Sequence, residues 1–290
     1  MANWKWLIML MLSPSALASN KIYSADLTNS VWEVTKANPI ECTLDHNIPR
    51  FGNARFTVRA SKSVNIDFDL DGKRETPATR QVTLRSVPPS WRPGVAANDI
   101  TLVKFHEGFD GYLNGKNAWA MLSELEEGQF PTFIFSDWYN QDEVTQVALS
   151  AVNFRQKYLD FNDCVSGLLP YSFEDISFSI LNYVKNGSDL TRHSKQRLKM
   201  IGEYLRYDEA VNIILIDGYS DSYGGRWSNQ QLSEKRAESV KAYLTELGVD
   251  PSKFTVEGHG EKRHIADNRS EVQRPKNRRV VISIGREEEI

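Results

Sequence analysis

The hydrophobic period of this chain changes once, and that change constrains the fold more than any single motif. From residue 19 to about residue 164, apolar and β-branched residues come in short runs, at 54–60, 64–70, 81–87 and 131–136. Turn signals separate them at Asp71-Gly72, Pro88-Pro89, Arg92-Pro93-Gly94 and Asn114-Gly115. One helix is predicted over 117–127, and the rest reads as an antiparallel β-barrel or sandwich. Residues 162–172, carrying Cys164, Gly167 and Pro170, mark a boundary, so domains are expected over 19–168 and 169–290. Beyond it the period alternates between 2 and 3.6. Strands are predicted at 176–180, 211–216, 254–257 and 279–284, and helices at 191–207, with Leu198, Ile201 and Leu205 on one face, and at 229–247. The fold class is therefore α+β with two domains, the second a β-α-β-α-β-β sandwich with its helices on one face of a mixed sheet. A length of 290 residues allows each domain its own core.

Residues 1–18 read as a signal peptide. Lys5 gives a positive start, residues 7–12 are apolar, and Ala16-Leu17-Ala18 fits a cleavage site before Ser19. An exported, periplasmic location is expected, with no later segment apolar enough to span a bilayer. The two cysteines, Cys42 and Cys164, are expected to form a disulfide, the alternative being two buried thiols. A net charge of −3 argues against bulk attraction to nucleic acid.

The helix predicted over 229–247 carries its apolar residues at Leu232, Val240, Tyr243, Leu244 and Leu247, and Arg236 falls on the same stripe. A guanidinium stays charged, so turning it inward demands an anionic or carbonyl partner. Asp221, in the loop before the helix, is the nearest candidate. Such a pair either ties the loop to the helix or holds a small zwitterion. No nucleophile elbow, zinc-protease motif or phosphate-binding loop is present, and no cofactor or metal site is expected. His259 and His264 with Asp221 form only a weak ligand set. The cationic run Arg274, Lys276, Arg278, Arg279 reads as a solvated approach to the last strand with one arginine inward, and Trp91, Trp119 and Trp138 read as packing residues.

The runs GYSDSYGG, NQQLSEKRAESVKAYL, GHGE and IADNRSEVQRPKNRRV, over roughly the last 115 residues, resemble the OmpA-like peptidoglycan-binding domain family. That resemblance implies that Asp221 accepts from the ammonium of a diaminopimelate residue in the stem peptide. Arg236, fifteen positions later, would grip its carboxylate. It further implies that Asn229 is a polar contact that also caps the helix, and that Arg278 and Arg279 close the motif. Tyr219, Tyr223 and His264 depart from the family pattern.

The runs CTLDHNIPRFGNARF, VPPSWRPG, FPTFIFSDWYN and SAVNFRQKYLDFNDCVSGLLPYSF resemble the N-terminal region of the periplasmic T-ring family of sodium-driven polar flagellar motors. The resemblance implies a non-enzymatic ring component with four partners: peptidoglycan, the flagellar basal body, the stator complex and a protein called MotX. The alternative expectation is a general envelope tether without a role in motility.

Overall fold

Short strands dominate the first half because its residues alternate or branch at Cβ, and a sheet buries one face of each. The computed structural model describes residues 20–108, 111–140, 142–184 and 189–286, so the signal peptide lies outside the described residues. Ten strands come first: β1 (Asn20–Tyr23), β2 (Trp32–Asn38), β3 (Glu41–Ile48), β4 (Gly52–Arg59), β5 (Ile66–Gly72), β6 (Arg80–Val87), β7 (Asn98–Phe105), β8 (Gly111–Asn114), β9 (Phe130–Ser136) and β10 (Val144–Ala148). They form two five-stranded sheets of order β1-β10-β9-β6-β7 and β2-β3-β4-β5-β8. Both sheets are open, which sets aside the barrel. Nor is the pairing wholly antiparallel, since β1 runs parallel to β10.

The described residues group into two compact units. One holds those up to Glu33 with Asp45–Phe56 and Asp67–Lys157, and the other holds Val34–Leu44, Thr57–Ile66 and those from Tyr158 onward. The core of the first unit is a chain of rings. Phe56 meets Phe68 at 4.8 Å, Phe68 meets Phe133 at 5.8 Å, and Phe133 meets Phe105 at 5.8 Å, so side chains from both sheets interleave. Helix α1 (Gly115–Glu126) adds Ala118, Met121, Leu122 and Leu125, one face of two turns.

At one end of this core Trp32 stacks on His46 with centroids 4.3 Å apart, and its indole N–H donates to the Ser150 carbonyl at 2.8 Å. His46 Nδ1 lies 2.8 Å from the Val31 carbonyl, and the Ser150 N–H donates to Nε2 at 3.2 Å. A carbonyl can only accept, so Nδ1 carries the proton and Nε2 does not. Burial holds the imidazole pKa down to about 4.

Helix α2 (Phe154–Ser166), whose residues from Tyr158 onward belong to the second unit, carries Cys164, bonded to Cys42 with Cα atoms 6.1 Å apart, as expected. No helix was expected there. Only Phe154 and Phe161 of it are fully buried, two turns apart, too thin a stripe for a strong periodic signal. After α3 (Phe173–Ile176) come β11 (Phe178–Asn182), α4 (Arg192–Leu205), β12 (Val211–Tyr219), α5 (Arg226–Glu246), β13 (Phe254–Gly258), α6 (Arg274–Asn277) and β14 (Arg279–Arg286). The sheet order is β11-β14-β12-β13, with β12 and β13 parallel and the other pairs antiparallel, which is the expected mixed sandwich. Leu198, Ile201, Ile214, Val240 and Ile282 fill the core, and Ile40 and Ala60 from the β2–β5 region join it.

Candidate ligand pocket of the second unit

Two glycines place the helix that carries the pocket. A Cβ at Gly218 would stand 2.1 Å from the Ser233 carbonyl oxygen, and one at Gly258 would stand 2.7 Å from the Glu234 nitrogen. Only glycine permits α5 to lie this close to β12 and β13. Small residues therefore face the sheet. The buried stripe is Asn229, Ser233, Arg236, Ala237, Val240 and Leu244, whereas Leu232 is half-buried and Tyr243 is exposed, a correction to the expected face. Ser233 Oγ accepts from the Gly260 N–H at 2.9 Å and donates to the Gln230 carbonyl at 2.7 Å, stitching helix to loop.

Arg236 points inward as predicted and is 4% exposed. Its guanidinium lies 4.3 Å from the Tyr183 ring centroid. Burial lowers its pKa, Tyr183 opposes that, the positive charge of Arg278 adds to it, and Asp221 opposes it again. Arg278 and Asp221 therefore lie near enough to Arg236 to act on its charge.

Asp221, 8% exposed, makes its ion pair with Arg278 rather than with Arg236: Arg278 Nη1 donates to Oδ2 at 2.8 Å, and the Tyr223 N–H donates to Oδ1 at 3.3 Å. The cause is register. Tyr219 of β12 pairs with Arg279 of β14, so the residue before Arg279 arrives beside the loop that follows β12. Arg278 Nε and Nη2 are buried without hydrogen-bond partners among the described residues.

Asn229 does not cap the helix. The cap position is Gly225, and Asn229 sits a turn inside, where Nδ2 donates to Glu261 Oε2 at 3.1 Å. The cationic run also differs from expectation, because both Arg278 and Arg279 turn inward. Arg279 stacks on Tyr219 at 3.9 Å and donates to the Arg263 carbonyl at 3.1 Å. Trp91, read as a packing residue, is 53% exposed. His259 joins Asp217 at 2.8 Å and lies 3.6 Å from Glu257 through its other nitrogen, while His264 is exposed, so the trio with Asp221 does not assemble.

Asn277 escaped the sequence reading. Fully buried, its Oδ1 accepts from the Ile265 and Ala266 N–H groups at 3.0 and 3.1 Å, and its Nδ2 donates to the Ala266 carbonyl and to Asn268 Oδ1, each at 2.9 Å. Every polar position of its amide is used. It holds the 265–268 loop, and Asn268 Oδ1 in turn accepts from the Ser222 N–H at 3.3 Å, beside Asp221. Its place directly before Arg278-Arg279 was the available signal.

Comparison with known proteins now bears on this geometry. Residues 23–170 match the MotY N-terminal domain, and residues 182–278 match the OmpA family. The sodium-type flagellar protein MotY of Vibrio parahaemolyticus is 47% identical over 97% of this chain and 98% of its own length. The chain belongs to the MotY family. Its OmpA portion is also similar to outer membrane protein A of Bordetella avium, 40% identical over 33% of this chain and 50% of that protein. Among solved structures, the C-terminal domain of Helicobacter pylori MotB is 22% identical with a TM-score of 0.34, covering 38% of this chain and 86% of that one. A MotY-family protein with an OmpA domain belongs to the cell envelope and to the sodium-type flagellar motor. No described helix is long and apolar enough to cross a membrane.

Proposed function

We propose that the second unit anchors the protein to the cell wall by holding the diaminopimelate of a peptidoglycan stem peptide. In this reading the whole chain is a non-enzymatic periplasmic component of the T-ring. A static ring needs a covalent wall to bear on, because attachment to a fluid membrane would let it slide under torque. MotX, the basal body and the stator units are its partners, and the ring is built from several copies.

The observation that carries the wall-binding reading is the buried cluster of Asp221, Arg236 and Arg278, with two Arg278 nitrogens lacking hydrogen-bond partners among the described residues. Buried donors without acceptors are costly, and a ligand carboxylate would satisfy them while its ammonium turned to Asp221. Asn229, tied to Glu261, adds a second carboxylate on the helix side, so the site suits a zwitterion better than a simple anion. The test is co-sedimentation of the mature protein with isolated sacculi. Wild type should pellet, and Asp221→Ala and Arg236→Ala should stay in the supernatant while keeping native circular dichroism. Folded variants that pellet like wild type would leave both residues with a purely structural role.

A further inference from the structure

The sequence runs around Arg50 and Trp138 lie outside the proposed wall-binding site, and they meet. Within the first unit they line an open cleft of about 680 Å³, joined by β1, the segment after β5 and the end of β7. Its apolar floor is made of two groups of rings: Tyr23 meets Phe51 at 5.5 Å, and Phe135 meets both Trp138 at 5.4 Å and Phe105 at 5.9 Å. The volume lies in the range of ligand sites, and the floor can take large apolar side chains.

Its rim is cationic. Arg50, Lys73 and Arg74 line it, are exposed, and make no ion pair among the described residues. Asp137 does not offset them, because its carboxylate is already taken. Oδ1 accepts from the Tyr139 N–H at 2.9 Å, and Oδ2 accepts from Thr145 Oγ1 at 3.0 Å and Lys21 Nζ at 3.4 Å. Glu75 is the one other acidic residue in the lining. Arg50 also holds φ at +67° in the β3–β4 turn, a conformation disfavoured for a residue with a Cβ.

The shape of the site indicates a chain rather than a small anion. Lys21, Ile22 and Tyr23 all line the cleft, although successive side chains of a strand point to opposite faces. Three in a row face one cavity only when that cavity runs along the strand's edge, and β1 is an edge strand of its sheet. Ile22 is 54% exposed there.

We propose that this cleft receives an extended acidic segment of a partner protein, seated along β1, with glutamate or aspartate side chains at the Arg50, Lys73 and Arg74 rim and a large apolar side chain on the aromatic floor. The full mature protein is titrated by fluorescence anisotropy into three labelled octapeptides. The first alternates glutamate with phenylalanine, the second replaces glutamate by lysine, and the third replaces phenylalanine by serine.

The first should bind at least about tenfold more tightly than either other, and more weakly as salt rises. The triple variant Arg50→Ala, Lys73→Ala, Arg74→Ala touches only exposed side chains and should lose about tenfold of that affinity, with sacculus binding unchanged. Reversing the rim with Arg50→Glu and Lys73→Glu should turn the preference toward the lysine peptide. Equal affinity for the glutamate and lysine peptides would overturn the proposal, as would triple-variant affinity equal to wild type, or glutamate-peptide binding weaker than about 1 mM. Serine and phenylalanine peptides binding alike would overturn the aromatic anchor.

Discussion

His46 in the first unit and Arg278 in the second are both buried polar side chains, and they are treated in opposite ways. Both ring nitrogens of His46 meet backbone groups, and the ring is kept neutral beneath Trp32. Arg278 keeps its charge, spends one nitrogen on Asp221 and leaves two others buried without partners among the described residues. A saturated, neutral group lowers the free energy of the fold and has nothing left to offer a ligand. An unsaturated charge costs the fold stability and is worth keeping only where something else will complete it. Under the proposed wall-binding role, the difference separates a residue that builds the molecule from one that binds.

The contrast can be tested from its structural side first. His46→Ala should cost about 4 kcal/mol, combining a cavity beside Trp32 with two stranded backbone groups, and should leave sacculus binding by the folded fraction intact. Urea unfolding and co-sedimentation on the same preparation would check it. A binding loss beyond the unfolded fraction would erase the distinction.

The next largest effect is on pH dependence. The folded pKa of His46 is held at about 4, below the ordinary 6.5, so the unfolded chain binds the proton more readily. Its stabilising contribution is complete above pH 6.5 and is lost as pH falls toward 4. A shift of this size corresponds to about 3 kcal/mol. Stability curves at pH 7 and pH 4 should differ by about that amount more in wild type than in His46→Ala.

On the binding side, Arg278→Lys keeps the charge near Asp221 and removes the planar fork. Sacculus affinity should drop about thirtyfold, equivalent to about 2 kcal/mol, with a much smaller change in unfolding midpoint. A variant that binds normally would show that the partnerless nitrogens are not the donors that hold the ligand's carboxylate. Asn277→Ala should have the smallest effect on binding, about fivefold or about 1 kcal/mol, because it loosens the 265–268 loop without touching the charges. Faster amide exchange confined to that loop would identify the cause.

How much of this could be read without coordinates depended on distance along the chain. Helix α4 and the inward turn of Arg236 were legible, since a 3.6-residue period is a local property. Helix α2 was hidden because its buried face is reduced to two phenylalanines. The face of α5 was misjudged by a fraction of a turn. Large apolar residues such as Leu232 and Tyr243 dominate a pattern read from sequence, but the close approach at Gly218 and Gly258 selects the small Ser233 and Ala237 instead.

By itself the sequence determined the order of the strands and the two long helices in the second half, the pairing of the only two cysteines, and the presence of opposite charges around residues 221–236. These rest on local periodicity, simple counting and short spacing. The tertiary structure alone decided which guanidinium meets Asp221, because Arg278 lies 57 positions away and arrives only through the register of β14 on β12. It alone brought Arg50, Lys73 and Trp138 to one cleft. Sheet register and loop closure act between residues far apart in the chain, and no pattern of neighbours encodes them directly.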